Sequence, residues 1–209
     1  MRYLSEKGKR LVAFFCMVLC FTAVLTACRS SLPVAFYTLN AQGSAFESQK
    51  DQPAGLSGEF SIGIRYIRLP DYLDRPQIVT LNGTHTVHLS EFHRWAAPLK
   101  QEIGQVVAEN FIVLLQTPKI VFFPWDTSER PRHRVDLTFY HFEGALGKSF
   151  HAQGVWQLVG PRGESATVYR TFDFQIPISG SNYEDLAEAY SKSLWLLSSE
   201  ISSVVKKQP

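Results

Sequence analysis

Two spacings of apolar residues organise the chain beyond residue 33. "VAFYTL" (34–39) reads as a short strand. In "FSIGIRYIRLP" (60–70), Ile62, Ile64 and Tyr66 alternate, with Ile67 opposite, until Pro70 stops the run. Between them, "NAQGSAFESQKDQPAGLSGE" (40–59) is rich in Gly, Ser, Gln and Pro and predicts a flexible loop. From Pro98 the period changes. Leu99, Ile103, Val106, Val107, Asn110 and Leu114 recur at helical spacing, with proline in the first turn, where its missing N–H costs nothing. Thr117-Pro118 ends this helix. Four strand-like runs follow, 119–125, 134–144, 149–160 and 166–178. A second helix then opens at the capping-box spacing Ser181-x-x-Glu184 and carries Leu186, Tyr190, Leu194, Leu197, Ile201 and Val204 on one stripe. The order ββββ-α-ββββ-α predicts a single α+β domain, with a mostly antiparallel or mixed sheet and two main helices packed on one face.

The stretch from Asp74 to Leu99 is the densest in polar chemistry. "PQIVTLNGTHTVHLS" (76–90) predicts a hairpin, with Asn82-Gly83 supplying the two positive-φ residues of a type I′ turn. Alternation beyond a two-residue turn sends His85 and His88 to opposite sides of the sheet. Glu91 and His93 follow Ser90, which is placed to cap a short helical turn through Glu91 to Ala97. Asp74-Arg75-Pro76 stiffens the entry to the hairpin, Trp95 and Leu99 dock the exit, and ion pairs among Arg75, Glu91 and Arg94 are expected to brace the corner.

The first 27 residues change the charge balance. Arg2, Lys7, Lys9 and Arg10 precede an apolar run, 11–25, of signal-peptide length and short for a membrane span. It ends in "LTAC", which resembles a bacterial lipobox, in which cleavage falls before the cysteine and Cys28 carries the lipid. Residues 1–27 are therefore expected as a lipoprotein signal peptide and 28–209 as the mature domain. Removing the leader takes away four of the 21 Lys/Arg and one of the 19 Asp/Glu, leaving 17 against 18. The apparent basicity belongs to the leader, and no nucleic-acid surface follows from composition. Cys16 and Cys20 go with it, so the mature chain has no disulfide and no thiolate metal site.

Other candidate chemistry is sparse. "GALGKS" (144–149) has two residues between its glycines where a phosphate-binding loop needs four, and reads as a hairpin turn. No Gly-x-Ser-x-Gly elbow occurs. Glu184-Asp185 sits in a helix first turn, where it favours the macrodipole. Trp156 and Trp195 read as core. No catalytic, cofactor-binding or metal-ligating residue is assigned, and no cofactor is expected.

"LPDYLDRPQIVT" (69–80) followed by "SEFHRWAAPL" (90–99), after a lipobox and "FYTL" (36–39), resembles the ABC-type transport auxiliary lipoproteins, in particular those similar to paraquat-inducible protein C. The resemblance spans the mature chain. It implies a non-enzymatic lipoprotein on the periplasmic face of the outer membrane, anchored through Cys28; Arg29 stands where an inner-membrane retention signal would place aspartate. The implied partners are a periplasm-spanning mammalian-cell-entry-domain protein, an inner-membrane transport component and outer-membrane lipid, with a homo-oligomeric ring as the implied assembly. Asp74, Arg75, Pro76, Glu91, Arg94, Trp95 and Pro98 carry over as a fold-defining corner. Two other readings remain open: a metal-dependent periplasmic hydrolase using His85, His88, His93 or Glu91, and a monomeric periplasmic lipid carrier.

Overall fold

The computed structural model describes residues 8–18, 33–42, 60–116, 119–126, 130–161 and 167–207. Cys28, the lipobox around it and most of the expected loop, 43–59, lie outside the described residues. Two units partition the chain, Met1–Pro33 and Val34–Pro209. Within the first, residues 8–18 form a helix (α1) with exposed side chains. Among the described residues no helix is long and apolar enough to cross a membrane.

The second unit is a single α+β domain in the expected element order. Its strands are β1 (Ala35–Tyr37), β2 (Ile62–Arg68), β3 (Gln77–Leu81), β4 (Val87–Trp95), β5 (Ile120–Phe122), β6 (His133–Gly144), β7 (Ser149–Val159) and β8 (Thr167–Pro177). Helix α2 (Leu99–Leu115) separates β4 from β5, and α3 (Tyr183–Val205) closes the chain. All eight strands join one mixed sheet in the order β1-β4-β3-β6-β2-β5, with β7 and β8 continuing from the other edge of β6. The long β6 makes this branching possible. Residues 133–138 run parallel to β2, whereas Gly144 at its far end meets Thr80 of β3.

Alternation decides which face is buried. On β7, Phe150, Ala152, Gly154, Trp156 and Leu158 are buried, while His151, Gln153, Val155 and Gln157 lie on the other, open face. β6 keeps the same arrangement through a bulge at Tyr140, which lets Phe139 and Phe142 both point inward and sends His141 and Glu143 outward. Gly154 lies opposite this irregularity, where a Cβ would overlap the Thr138 carbonyl. Tyr190 of α3 seals the core against the Phe142 and Phe150 rings at 4.8 and 4.2 Å. Gly104 of α2 sits against Ile67 of β2.

Both predicted helical stripes are buried, except that Leu114 is half-buried and Phe111 and Leu115 complete the α2 face. Three polar side chains on the two helices have a task. After β1 the chain passes over the helices, and the backbone N–H groups of Leu39, Asn40 and Gln42 donate to Glu102, Ser191 and Asn110, each at 3.1 Å. The expected loop is thus tied down over its first residues.

Three local expectations are corrected. The α3 cap is Asn182, whose side chain accepts from the Asp185 N–H at 2.8 Å, one residue later than the Ser181 capping box predicted. The hairpin tip is not a two-residue turn. Leu81 pairs with Val87, the Asn82 N–H donates to the Thr86 carbonyl, and Gly83 at φ 88° is the positive-φ residue there. His85 consequently lies in an exposed loop rather than on a strand face. Finally, 90–97 forms no helical turn, because β4 runs through to Trp95.

Candidate functional site

The corner that the sequence singled out is built by a change of strand partner. Up to Leu89, β4 pairs with β3; the register then jumps, from Val79↔Leu89 to Gln77↔Arg94. The extra residues form a bulge in which the Ser90 hydroxyl accepts from the His93 N–H at 3.1 Å. This is the contact that the sequence reads as a helix cap, placed instead within a strand. Beyond the bulge β4 also gains β1 as a parallel partner, with Phe36 beside Arg94 and Tyr37 beside Trp95. Backbone bonds lock the joint: Trp95 N–H donates to the Pro76 carbonyl and Ala96 N–H to the Tyr37 carbonyl, both at 2.8 Å.

On the chain's other pass, a 3-10 turn at Asp71–Leu73 delivers buried Leu73 and then the Asp74-Arg75-Pro76 bend. The side chains of the two passes divide between inside and outside. Trp95 is 4% exposed and meets Tyr190 edge-on at 5.0 Å, and Leu99 is buried below it. Outside, Asp74, Arg75 and Pro76 face Arg94 and Pro98 across a pocket of about 380 Å³. Phe36, 65% exposed, and the small Ala96 and Ala97 complete its wall. Of the seven motif residues only Glu91 does not line it, being exposed on the bulge.

The expected ion pairs do not form. Asp74 is held by Lys100 of α2, Nζ to Oδ2 at 2.7 Å, and among the described residues Arg75, Arg94 and Glu91 have no ion-pair partner. The Nε atoms of Arg75 and Arg94 are buried without a hydrogen bond. The start of α2 at Leu99 brings Lys100 within reach of Asp74, which sequence spacing alone did not reveal.

The histidines scatter. His85 is in the exposed tip, His88 is exposed on β4 beside Thr80, and His93 stacks on Tyr183 at 4.0 Å while its Nδ1 meets the Tyr37 hydroxyl at 2.8 Å. Among the described residues no three His, Cys, Asp or Glu side chains gather as a metal site requires. The geometry gives the hydrolase reading no support.

A second polar cluster, on the open sheet face, was missed by the sequence reading. His141 and His151 stack at 5.1 Å. His141 Nδ1 lies 2.8 Å from Glu143 Oε1, His151 Nε2 lies 2.9 Å from Asp173 Oδ1, and Gln153 donates to Asp173 Oδ2. Glu143, 2% exposed, also accepts from the Tyr72 hydroxyl at 2.9 Å and the Phe142 N–H at 2.7 Å. Burial first, then this carboxylate, pushes the Tyr72 phenol well above its usual range. The hydrogen bonds from Gln153 and then His151 hold the Asp173 carboxyl below its ordinary value. The available signal was the i, i+2 spacing of His141/Glu143, His151/Gln153 and Asp173/Gln175 on three adjacent strands. The carboxylates are satisfied within the cluster, with each histidine engaged through one ring nitrogen.

The fold is similar to that of solved crystal structures. One, described as that of an uncharacterized protein, is 16% identical, with a TM-score of 0.66, 83% of this chain and 99% of that chain covered. Another, protein XCC0632 from Xanthomonas campestris, is 15% identical, with a TM-score of 0.60, 81% of this chain and 93% of that chain covered. No curated protein matches the chain. At the level of sequence, a family model covers residues 37–202, from β1 to the last turns of α3. The protein belongs to the ABC-type transport auxiliary lipoprotein component family.

Proposed function

We propose that this transport auxiliary component is anchored through Cys28 to the periplasmic face of the outer membrane. There it docks and receives a periplasm-spanning mammalian-cell-entry-type protein that moves lipid between the membranes. The observation that carries this reading is the match of the family model over 37–202, joined to a lipobox ending at Cys28. The corner supports it: of the seven motif residues, Asp74, Arg75, Pro76, Arg94 and Pro98 open onto one surface pocket while Trp95 anchors its floor in the core, an arrangement suited to a docking domain. Several copies arranged in a ring suit a receiver for the end of a tunnel.

The test is gentle extraction of membranes that contain both this protein and a mammalian-cell-entry-domain protein from the same cell. Co-purification is expected, and failure of the two to associate when both are present rejects the docking role. Cys28→Ala is expected to leave the fold intact and release the chain from the membrane. Three acyl chains, each methylene contributing about 0.8 kcal/mol, are what hold it. A Cys28→Ala protein that still sediments with outer membrane, without partners, disproves the anchor.

A further inference from the structure

The motif pocket has the composition of an anion site with an apolar rim. Arg75 and Arg94 both line it, and among the described residues neither side chain has a hydrogen-bond or ion-pair partner. The one carboxylate present, Asp74, is already neutralised by Lys100. Arg75 and Arg94 therefore line one concave site with no counter-charge of their own. Such forks bind phosphate and carboxylate oxygens bidentately. The rest of the wall is apolar, and Phe36 projects from its edge, 65% exposed, with Val34 also exposed two residues before it.

The length of the tether says what lies nearby. Five residues, 29–33, separate Cys28 from Val34, and fully extended they span about 20 Å. With Cys28 acylated, β1 and the pocket beside it cannot leave the neighbourhood of the headgroups. We propose that the Arg75/Arg94 pocket takes the phosphodiester headgroup of a phospholipid in the leaflet to which the chain is anchored. Phe36 lies against the upper acyl chain, and the domain gains a second, non-covalent foothold that fixes its orientation on the membrane. This rests on the lipoprotein reading above. It adds a lipid contact made by the folded domain itself, distinct from any cargo.

The experiment uses the full chain held in amphipol, titrated calorimetrically with dihexanoyl phosphatidylglycerol below its micellar concentration. Inorganic phosphate and dihexanoylglycerol are titrated in parallel. Saturable binding of the phospholipid is expected, weakened roughly tenfold or more by Arg75→Gln and again by Arg94→Gln, with phosphate alone far weaker. Phe36→Ser, at an exposed position that leaves the fold undisturbed, is expected to weaken phospholipid binding but not phosphate binding. Unchanged phospholipid binding in Phe36→Ser or in the double arginine variant overturns the proposal. So does equal affinity for inorganic phosphate, which marks a bare anion site, or for dihexanoylglycerol, which marks an apolar cleft. The two readings fail separately. A protein that co-purifies with its transport partner but binds no phospholipid overturns this inference alone, and the converse overturns only the docking role.

Discussion

The open face of β6–β8 and the motif corner are both polar, yet they are built on opposite rules. On the open face the carboxylates are all partnered, although Arg134 keeps a buried Nε without a hydrogen bond. Glu143 takes three hydrogen bonds, Asp173 takes two, and Arg65 forks onto Asp136. At the corner the only pair among the described residues is Lys100–Asp74, and the two arginines that flank it have no ion-pair partner there. A satisfied network rigidifies a sheet that would otherwise expose its strands. Unpaired guanidiniums contribute little to stability and, with each Nε buried, keep their terminal N–H groups for something outside the chain. The contrast separates scaffold from contact surface more reliably than the number of titratable residues does.

The largest effect that sharpens the comparison belongs to Glu143. Glu143→Ala strands the Tyr72 hydroxyl and the Phe142 N–H, at an expected cost of about 1–3 kcal/mol in chemical denaturation. A midpoint that does not move breaks the claim that this network is structural.

His133 gives an intermediate case, unpartnered but closed. Both ring nitrogens are buried without hydrogen bonds, the ring lies 5.0 Å from Phe60, and desolvation, then the Arg132 charge, lowers its pKa to about 4. Because the folded value lies below the unfolded one, the unfolded chain binds the extra proton. Stability is full above about pH 6.5 and falls as pH drops toward 4, by on the order of 1–3 kcal/mol. His133→Phe is expected to flatten that window. Asp173 acts lower, since its depressed carboxyl holds its contribution until pH falls through the folded value. A wild-type curve that is flat between pH 6.5 and 4 contradicts the assignment.

The smallest stability effect is expected at the corner itself. Arg75→Gln and Arg94→Gln each shift the unfolding free energy by no more than about 0.5 kcal/mol, because no internal partner is lost. A loss above about 2 kcal/mol from either, measured by the same denaturation, assigns the arginines to the scaffold and erases the contrast.

Much of the fold was legible because it depends on period. The stripes Leu99–Asn110 and Leu186–Val204 and the alternation along β7 are consequences of burial on one face, and they hold whatever the local detail. The corner was legible as a place but not as an arrangement. Ser90 with Glu91 and His93 reads as a helix start from local preference, whereas pairing with both β1 and β3 keeps it extended and turns the same Ser90 contact into a bulge. The expected bracing among Arg75, Glu91 and Arg94 failed for a similar reason. The bulge leaves Glu91 exposed and outside the pocket that Arg75 and Arg94 line. The Asn82-Gly83 signal located the hairpin, but Leu81 and Val87 end the ladder before the strands reach a tight turn. The open-face cluster depends on three strands far apart in sequence lying side by side, which no local pattern states.

The most direct measurement is photocrosslinking in native membranes, with a benzophenone side chain replacing Phe36 at the corner and, separately, Gln153 on the open face. The account predicts phospholipid adducts from position 36 and none from position 153. Lipid adducts from 153, or only protein adducts from 36, would contradict it.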